Sequence, residues 1–253
     1  ILDHISLYDV LTENQMNEIL ENSNKKILKN STNIIIHTYN GKIIKAQTKN
    51  QNKIISEIKK HDMLFVTGPA GTGKTYTAVA LAIKALKEKK VKRIILTRPA
   101  IEAGENLGFL PGDMKEKLDP YMQPLYDSLL DMLPLERLDS YIEKKIIQIV
   151  PLAFMRGRTL NNAFVILDEA QNTTINQMKM FLTRMGSSAK FMITGDLTQI
   201  DLPKGISSGL LESQKILKKI KSISFIKLEE NDIFRHKIVK EIIEAYNLKN
   251  NKT

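Results

Sequence analysis

The stretch Gly68-Pro69-Ala70-Gly71-Thr72-Gly73-Lys74-Thr75 decides the fold of this 253-residue chain. It matches the pattern G-x-x-x-x-G-K-[ST] of a phosphate-binding loop, which has to follow a strand and open a helix. Both neighbours fit, because the apolar run at residues 64–67 precedes it and the apolar stretch at residues 78–83 follows it. The sequence therefore predicts a strand, a nucleotide-binding loop and a helix, in that order.

Each residue type in this loop has a chemical reason to be there. Gly68, Gly71 and Gly73 let the backbone curl so that successive amide N–H groups point at phosphates, at the positive end of a helix dipole. Lys74 is predicted to reach the β and γ phosphates, and the Thr75 hydroxyl is predicted to ligate Mg²⁺. A glycine-rich turn that holds a lysine by chance is the alternative, and the flanking strand and helix patterns argue against it. We therefore expect ATP and Mg²⁺ to bind here.

Two carboxylates, Asp168 and Glu169, end the apolar run at residues 164–167. In a P-loop protein, the tip of the strand beside the phosphate loop is where the second partner of the magnesium ion belongs. We expect Asp168 to act on the ion directly or through water, and Glu169 to act as the general base that polarises the attacking water. Without a phosphate loop, such a pair is more often only a solvated strand end.

A third polar group follows the run at residues 191–194, in the sequence Gly195-Asp196-Leu197-Thr198-Gln199. Gln199 is predicted to sense the γ phosphate or the attacking water, and Thr194 and Asp196 to orient it. An ordinary loop capped by Gly-Asp is the alternative interpretation.

Arginines could also neutralise charge in the transition state. The candidates are Arg98, Arg156, Arg158 and Arg235, each of which could instead be a surface or structural arginine.

Short apolar runs alternate with amphipathic stretches through the rest of the chain. The runs are residues 63–67, 93–97, 146–150, 164–167, 191–194 and 223–228, and the helical stretches include 75–89, 121–133, 175–185, 208–219 and 233–246. Strands and helices in alternation favour an α/β fold with a mostly parallel sheet and helices on both faces. Glycines and prolines at residues 100–120 predict an irregular functional loop or surface insertion.

Four segments are predicted. Residues 1–33 form a short helical piece that we interpret as the tail of a truncated N-terminal module, since the chain begins with Ile1. Residues 34–48 form a β-hairpin linker, because Asn40-Gly41 between apolar runs is a strong hairpin signal. Residues 49–247 form the ATPase domain, and residues 248–253 form a disordered tail.

The composition limits the possible classes of protein. With 42% hydrophobic and 26% charged residues it is that of a soluble globular protein, and no apolar run approaches the roughly 18 residues of a membrane span. The absence of cysteine excludes disulfides and thiolate metal sites, and fits a reducing compartment, so we expect a cytoplasmic protein. The net charge of +10 fits nucleic-acid binding or a bias in the coding sequence equally well.

The motifs together resemble those of the PhoH-like ATPases, whose P-loop core is related to that of superfamily 1 helicases. The resemblance covers about residues 50–246. The matching strings are His61-Asp62, residues 68–76, Thr97-Arg98-Pro99-Ala100 with Gly104-Glu105, residues 107–112 (LGFLPG), 151–160 (PLAFMRGRTL), 166–172 (ILDEAQN), 194–199 (TGDLTQ) and Arg235-His236. The chain departs from the family pattern at Ala46-Gln47, where a Pro-Arg pair is expected after the hairpin.

This resemblance implies a RecA-like core, Mg²⁺-dependent ATP hydrolysis, and a link to RNA metabolism or to ribosome maturation through a protein partner. It also implies a homo-oligomeric ring, for which a hexamer is one option. It further implies that Gln51 contacts adenine, that Tyr76 belongs to the nucleotide-binding set with the loop before it, and that Arg235 is the preferred arginine finger. A small nucleic-acid-binding-like module usually precedes the ATPase domain in this family.

Three functions remain open on sequence grounds. The leading one is an ATPase coupled to RNA binding or remodelling, in which basic residues at 87–93, or Arg156 and Arg158, line a channel for a phosphate backbone. These basic residues are equally consistent with solvated helix faces. A nucleotide-gated scaffold with slow hydrolysis is the second function, and a small-molecule P-loop kinase is the third, although a kinase has no need of Glu169 as a base. With one core and no second RecA-like domain in 253 residues, we do not expect processive unwinding by a monomer, although a ring could supply the missing surface.

Overall fold

The computed structural model describes residues 33–99, 114–234 and 238–239, with residues 114–119 described in their backbone alone. Its centre is a six-stranded parallel sheet, which consists of β3 (Met63–Thr67), β4 (Arg93–Arg98), β5 (Ile147–Pro151), β6 (Ala163–Leu167), β7 (Lys190–Gly195) and β8 (Ile223–Lys227). The strands lie in the order β5-β4-β6-β7-β3-β8. Every predicted apolar run is a strand, within one or two residues at its ends.

Helices cover both faces of this sheet. They are α1 (Lys49–Lys60), α2 (Lys74–Lys87), α3 (Met114–Leu130), α4 (Leu135–Glu143), α5 (Ile175–Leu182) and α6 (Gly209–Leu217). Helices α1 to α4 share one apolar cluster with one side of the sheet, and α5 and α6 share another cluster with the opposite side. The predicted α/β class, with a mostly parallel sheet and helices on both faces, is therefore confirmed.

The two clusters follow from the alternation of side chains along buried strands. In β3, Leu64 and Val66 point to the α1–α4 side, whereas Phe65 points to the other side and stacks on Phe225 at a ring-centroid distance of 4.8 Å. Apolar side chains on both faces of the strand need a cover on both faces. This requirement places the helices, and it leaves only the ends of the strands for polar chemistry.

An antiparallel hairpin precedes the sheet, as the Asn40-Gly41 signal predicts. It consists of β1 (Ile34–His37) and β2 (Ile43–Lys45), and its buried isoleucines join the cluster on the α1–α4 side. Gly41 has a φ of 81°, the left-handed conformation that such a tight turn requires. The Thr48 side chain then caps α1 by accepting a hydrogen bond from the Gln51 N–H.

The prediction of irregular structure through residues 100–120 is wrong for its last part. Residues 100–113 lie outside the described residues, but α3 already begins at Met114 and runs through Pro120 and Pro124. A proline removes one helix hydrogen bond but fixes φ near its helical value, and Leu125 and Leu129 anchor this helix in the core. Packing therefore outweighs the two missing bonds. Helix α4 was not predicted at all.

Several other predictions fall on residues that the structure does not describe. These are the N-terminal helical piece up to residue 32, the tail at 248–253, and most of the closing helix at 233–246, of which Ile238 and Val239 are described and helical. Within the described ranges, no helix combines the length and the apolar character needed to cross a membrane.

The order of the strands determines where polar residues can meet. Because all six strands are parallel, their carboxyl ends share one edge of the sheet, and β7 lies between β3 and β6. The phosphate-loop motif follows β3, Asp168 and Glu169 follow β6, and Asp196 to Gln199 follow β7. The three predicted polar groups therefore end neighbouring strands at one edge.

Candidate nucleotide-binding site

The phosphate-loop motif adopts the curled backbone that its glycines predict. Gly71 and Gly73 have φ values of 83° and 73°, and Gly73 is the residue that caps the start of α2. Gly68 is required for a different reason, since a Cβ atom there would lie 2.7 Å from both the Cβ and the carbonyl oxygen of Leu228. The loop thus depends on left-handed backbone at two positions and on close contact with the end of β8 at a third.

We expect Gly68→Ala to lower the free energy of unfolding by about 1–3 kcal/mol, because the added methyl group has to push β8 away from the loop. Urea denaturation of the variant and the parent protein measures this loss. Gly157→Ala is the control, since its Cβ meets nothing within 4 Å and reports only the cost of a left-handed backbone. A loss no greater than that of the control would contradict the steric argument.

Lys74 lies across the loop that it follows. Its ammonium group donates hydrogen bonds to the carbonyl oxygens of Gly68, at 2.6 Å, and Pro69, at 2.8 Å. The Thr72 hydroxyl donates to the same Pro69 oxygen at 2.9 Å, which fixes the outer part of the loop. The cation predicted to bind phosphates is thus held over the curled backbone.

The Asp168 carboxylate lies at the centre of the site and is almost fully buried. One oxygen accepts hydrogen bonds from the hydroxyl groups of Thr75, at 2.7 Å, and Thr194, at 2.6 Å. The other oxygen accepts two bonds from the Arg98 guanidinium, at 2.8 and 2.5 Å. The four donors come from residues that end β4, begin α2 and lie in β7, so Asp168 ties three elements together.

Arg98 is one of the sequence-derived candidates for an arginine finger, and the structure places it on Asp168 of its own chain. Its remaining guanidinium nitrogen donates to the carbonyl oxygen of Tyr121 in α3 at 3.1 Å. The side chains are 13% and 2% exposed for Arg98 and Asp168, respectively. A guanidinium bound on both sides in this way is a structural partner of the carboxylate.

The residues that meet at Asp168 fit a magnesium ion. Mg²⁺ prefers oxygen ligands and binds in NTPase sites through one or two protein groups together with phosphates and water. The Thr75 hydroxyl and the Asp168 carboxylate supply two such oxygens, 2.7 Å apart. Within the described part of the chain, no group of three His, Cys, Asp or Glu side chains could hold a metal by itself.

Glu169 directly follows Asp168 and has an uncommon backbone conformation for a glutamate, with φ 52° and ψ 37°. Its carboxylate accepts a hydrogen bond from the Gln171 side-chain amide at 2.6 Å. The left-handed turn directs the two carboxylates into different surroundings. Asp168 is enclosed between α2 and β7, whereas Glu169 is only half-buried. Backbone strain of this kind is concentrated at functional sites.

Gln171 links Glu169 to the loop after β7. It is fully buried; its amide nitrogen also donates to the Gln199 carbonyl oxygen at 3.1 Å, and its amide oxygen accepts from the Asp196 N–H at 3.0 Å. Asp196 in turn accepts a hydrogen bond from the Gln199 side chain at 2.9 Å. Glu169 and Gln199, which the sequence predicted as separate catalytic residues, are thus joined through one buried amide.

Gln51 and Tyr76 lie beside the phosphate loop and have protein partners. The Gln51 amide donates to the Thr72 carbonyl oxygen at 3.0 Å and accepts from the Gln47 N–H at 2.7 Å. The Tyr76 hydroxyl donates to Asp131 at 2.8 Å, and burial raises the Tyr76 pKa. Their predicted contacts with nucleotide stay predictions.

Of the remaining arginine candidates, the structure describes Arg156 and Arg158, and neither is bonded to the residues of this site. Arg235 lies outside the described residues, and Phe234 before it donates its N–H to the Gly71 carbonyl oxygen at 3.0 Å. Arg158 donates to the Gln148 side chain at 2.7 Å, near the start of β5, and Arg156 is exposed in the same connection. The bond to Gln148 places the Arg158 guanidinium near the amino end of β5, whereas Asp168 follows the carboxyl end of β6.

Sequence reasoning assigned no role to Gln171 and considered Arg98 only as a finger. A signal for Gln171 was present, because an amide two residues after a predicted base can reach its carboxylate. The pairing of Arg98 with Asp168 joins positions 70 residues apart, and it becomes visible only once β4 and β6 are known to be neighbours.

Comparison with known proteins identifies relatives over most of the chain. The family model of PhoH-like proteins matches residues 43–247. A PhoH-like protein of Bacillus subtilis (strain 168) is 57% identical over 210 residues, which cover 83% of this chain and 66% of that protein. Protein PhoH of Escherichia coli (strain K12) is 42% identical over 205 residues, covering 80% and 58%, respectively. The chain thus spans about three fifths to two thirds of these two relatives.

Solved structures give more distant likenesses. The UvsW helicase from bacteriophage T4 aligns with a TM-score of 0.46 at 14% identity, covering 86% of this chain and 68% of that one. The Pif1 helicase from Candida albicans aligns with a TM-score of 0.43 at 17% identity, covering 81% and 44%, respectively.

Proposed function

The chain belongs to the PhoH-like protein family, and from this premise we propose that it hydrolyses ATP with Mg²⁺ and couples hydrolysis to RNA binding or remodelling. The observation that carries the proposal is the bond of 2.7 Å between the Thr75 hydroxyl and Asp168, with Glu169 as the next residue. The phosphate loop, the candidate magnesium ligands and the candidate general base are then adjacent, as ATP hydrolysis requires.

The phosphate loop and Lys74 bind the substrate in this proposal. The backbone amides of the loop and the N-terminus of α2 face the phosphates, and the Lys74 ammonium exchanges its two carbonyl partners for phosphate oxygens. Thr75 and Asp168 would hold Mg²⁺, which neutralises charge that develops on the phosphates. Thr194 keeps Asp168 oriented through its hydroxyl group.

Glu169 is the residue we assign to the attacking water. Its carboxylate accepts a proton from that water as the water oxygen bonds to the γ phosphorus and the bond to the bridging oxygen breaks, so that ADP and inorganic phosphate are released. The Gln171 amide holds the carboxylate in place. Gln199 follows Asp196 in the next loop and is exposed, so its side chain can respond to the γ phosphate. Because Gln171 bonds to both segments, a movement of the Gln199 loop alters the position of the base.

The net charge of +10 is compatible with RNA coupling, which is tested by phosphate release. We expect single-stranded RNA to raise the steady-state ATPase rate severalfold, since an RNA-coupled ATPase needs its ligand to assemble the site fully. The measurement compares purified protein in ATP and Mg²⁺ with and without a uridine homopolymer. A rate unchanged by RNA at concentrations that saturate binding would remove RNA coupling and leave the ATPase in place.

A nucleotide-gated scaffold with slow hydrolysis is the second candidate function, and the Arg98 pairing favours it. The Asp168 carboxylate accepts four hydrogen bonds, two of them from Arg98, so Mg²⁺ would have to share its oxygens with these donors. Single-turnover hydrolysis far slower than nucleotide binding would support the scaffold. A small-molecule kinase receives less support, because Glu169 and Gln171 form a site suited to activating water.

The partners and location of the protein belong to the same proposal. We place it in the cytoplasm as a homo-oligomeric ring, in which Arg235 would act as a finger on a neighbouring nucleotide, and in contact with a ribosome-maturation protein. Light scattering on the purified chain with and without ATP tests the ring. A monomer in both conditions would contradict it.

A further inference from the structure

Basic residues gather at the edge of the sheet opposite the nucleotide-binding site. This edge holds the amino ends of the parallel strands, since Arg93 of β4 aligns with Ala163 of β6 and Ile94 aligns with Ile147 of β5. We define the amino-edge cluster as the basic residues around the starts of these three strands: Lys92, Arg93, Lys144, Lys145, Arg158 and Arg184.

Arg93 and Arg158 are two half-buried members of this cluster, which also has Arg184 half-buried. Arg93 donates from two nitrogens to the Asn161 carbonyl oxygen, at 3.3 and 3.2 Å. Arg158 donates to the side-chain oxygen of Gln148 at 2.7 Å. Gln148 itself donates to the Lys145 carbonyl oxygen at 3.1 Å, so the connections before β5 and β6 are tied together.

The acceptors of both guanidinium groups are neutral. Among residues 33–99 and 120–234, no carboxylate lies within ion-pair distance of Arg93 or Arg158, whereas Lys190 at the same edge pairs with Asp62 at 2.9 Å. Burial lowers the pKa of Arg158, and the like charge of Arg93 lowers it further. Two guanidinium groups thus lie near each other, and no carboxylate of the described side chains pairs with either of them.

Favourable interaction with helix dipoles explains the positions of only some of the basic residues in the cluster. Lys144 and Lys145 follow the end of α4, and Arg184 follows the end of α5, where cations stabilise the negative end of a helix. Arg93 begins a strand and Arg158 lies in a connection, so neither has this reason to be there. A guanidinium that lacks a carboxylate presents free donors suited to phosphate oxygens.

We propose that the amino-edge cluster binds the phosphodiester backbone of single-stranded RNA, with Arg93 and Arg158 as the central contacts and Lys92 and Lys144 beside them. The inference rests on the RNA coupling proposed above and assigns it a surface. RNA then binds at the edge of the sheet that faces away from ATP, and the carboxyl edge stays available to nucleotide and to neighbouring subunits. The contacts are to backbone phosphates, so binding depends weakly on sequence.

The test measures how RNA affinity depends on salt, using fluorescence anisotropy of a labelled uridine homopolymer on the full chain. The edge variant carries Lys92→Gln, Lys144→Gln and Arg158→Gln, three changes at exposed or half-buried side chains that leave the Arg93 hydrogen bonds intact. The control variant carries Lys45→Gln, Lys204→Gln and Lys227→Gln, which remove the same charge from exposed positions elsewhere. Circular dichroism and binding of a fluorescent ATP analogue verify that both variants are folded.

We expect the edge variant to lose about tenfold or more in affinity at low salt. Its slope of log K against log salt should flatten by about 0.7 for each phosphate that the protein no longer neutralises. The control should keep the slope of the parent protein. An equal loss in both variants would mean that net charge alone attracts RNA, and it would overturn the assignment.

Two further outcomes separate this inference from the proposed function. Unchanged slopes in both variants would overturn the amino-edge site while RNA coupling stands. Absence of RNA binding by the parent protein would remove both, leaving ATP hydrolysis untouched. A last experiment measures sedimentation of the parent protein and the edge variant with phosphatidylglycerol vesicles. If the edge variant lost vesicle binding while its RNA affinity stayed unchanged, the cluster would be assigned to a membrane surface instead.

Discussion

Glu169→Gln is expected to lower kcat for ATP hydrolysis by about 10²–10⁴-fold, the usual contribution of a positioned general base. Glutamine keeps the size of the side chain and can still accept the hydrogen bond from Gln171, but it cannot take a proton from water. Nucleotide affinity should change little, because the phosphate loop and Asp168 are untouched. The variant should therefore bind ATP and hold it.

Phosphate release and binding of a fluorescent ATP analogue measure the two quantities separately. Glu136→Gln provides the control, since Glu136 is an exposed glutamate in α4 and belongs to neither of the polar segments that follow β6 and β7. A variant at position 169 that retains a third or more of the parent rate would place the general base elsewhere. Loss of nucleotide binding would instead show that Glu169 supports the fold of the site.

Arg98→Ala is expected to lower the free energy of unfolding by about 3–5 kcal/mol in the absence of Mg²⁺, because it leaves the Asp168 carboxylate buried without its countercharge. Thr75 and Thr194 still donate to that carboxylate, but hydroxyl groups do not neutralise it. Mg²⁺ with a non-hydrolysable ATP analogue should then stabilise the variant more than the parent, since the ion supplies the missing positive charge.

Urea denaturation with and without the metal and nucleotide gives both differences. The double variant Arg98→Ala/Asp168→Asn is the matched control, because removing both charges should recover part of the lost stability. A loss below about 1 kcal/mol in the single variant would show that the two hydroxyl groups suffice to hold the buried carboxylate. Equal stabilisation of variant and parent by Mg²⁺ would contradict competition between Arg98 and the ion.

The parts of this protein that could be predicted are those fixed by local sequence. The phosphate loop depends on glycines at set positions, and the strands are apolar runs that tolerate burial on both faces. The ends of β6 and β7 carry polar residues because the strands emerge there from the core. Parallel pairing then brings these ends to one edge, so the polar residues that meet there could be named in advance, whereas their catalytic roles stay predictions.

The parts that could not be predicted depend on contacts between distant segments. Helix α3 begins before two prolines that normally end a helix, and its packing in the core decides the outcome. Helix α4 is short, with Leu138 as its one fully buried residue, so its pattern is weak. Whether Arg98 pairs with Asp168 or stays available to a neighbouring subunit depends on the position of β4 beside β6, which no local pattern encodes.

Strand β4 has Arg93 at its first position and Arg98 at its last. Between them, Ile94, Ile95, Leu96 and Thr97 have no exposed surface, and hydrogen-bond ladders to β5 and β6 hold both sides of the strand. Such a strand cannot bend or slide on its own, so its two arginines are held at a fixed separation of roughly 17 Å, at about 3.3 Å per residue. If RNA binds at Arg93 as proposed, it lies one strand length away from the Arg98 pairing with Asp168, and the same ladder that holds β4 to β6 holds that pairing.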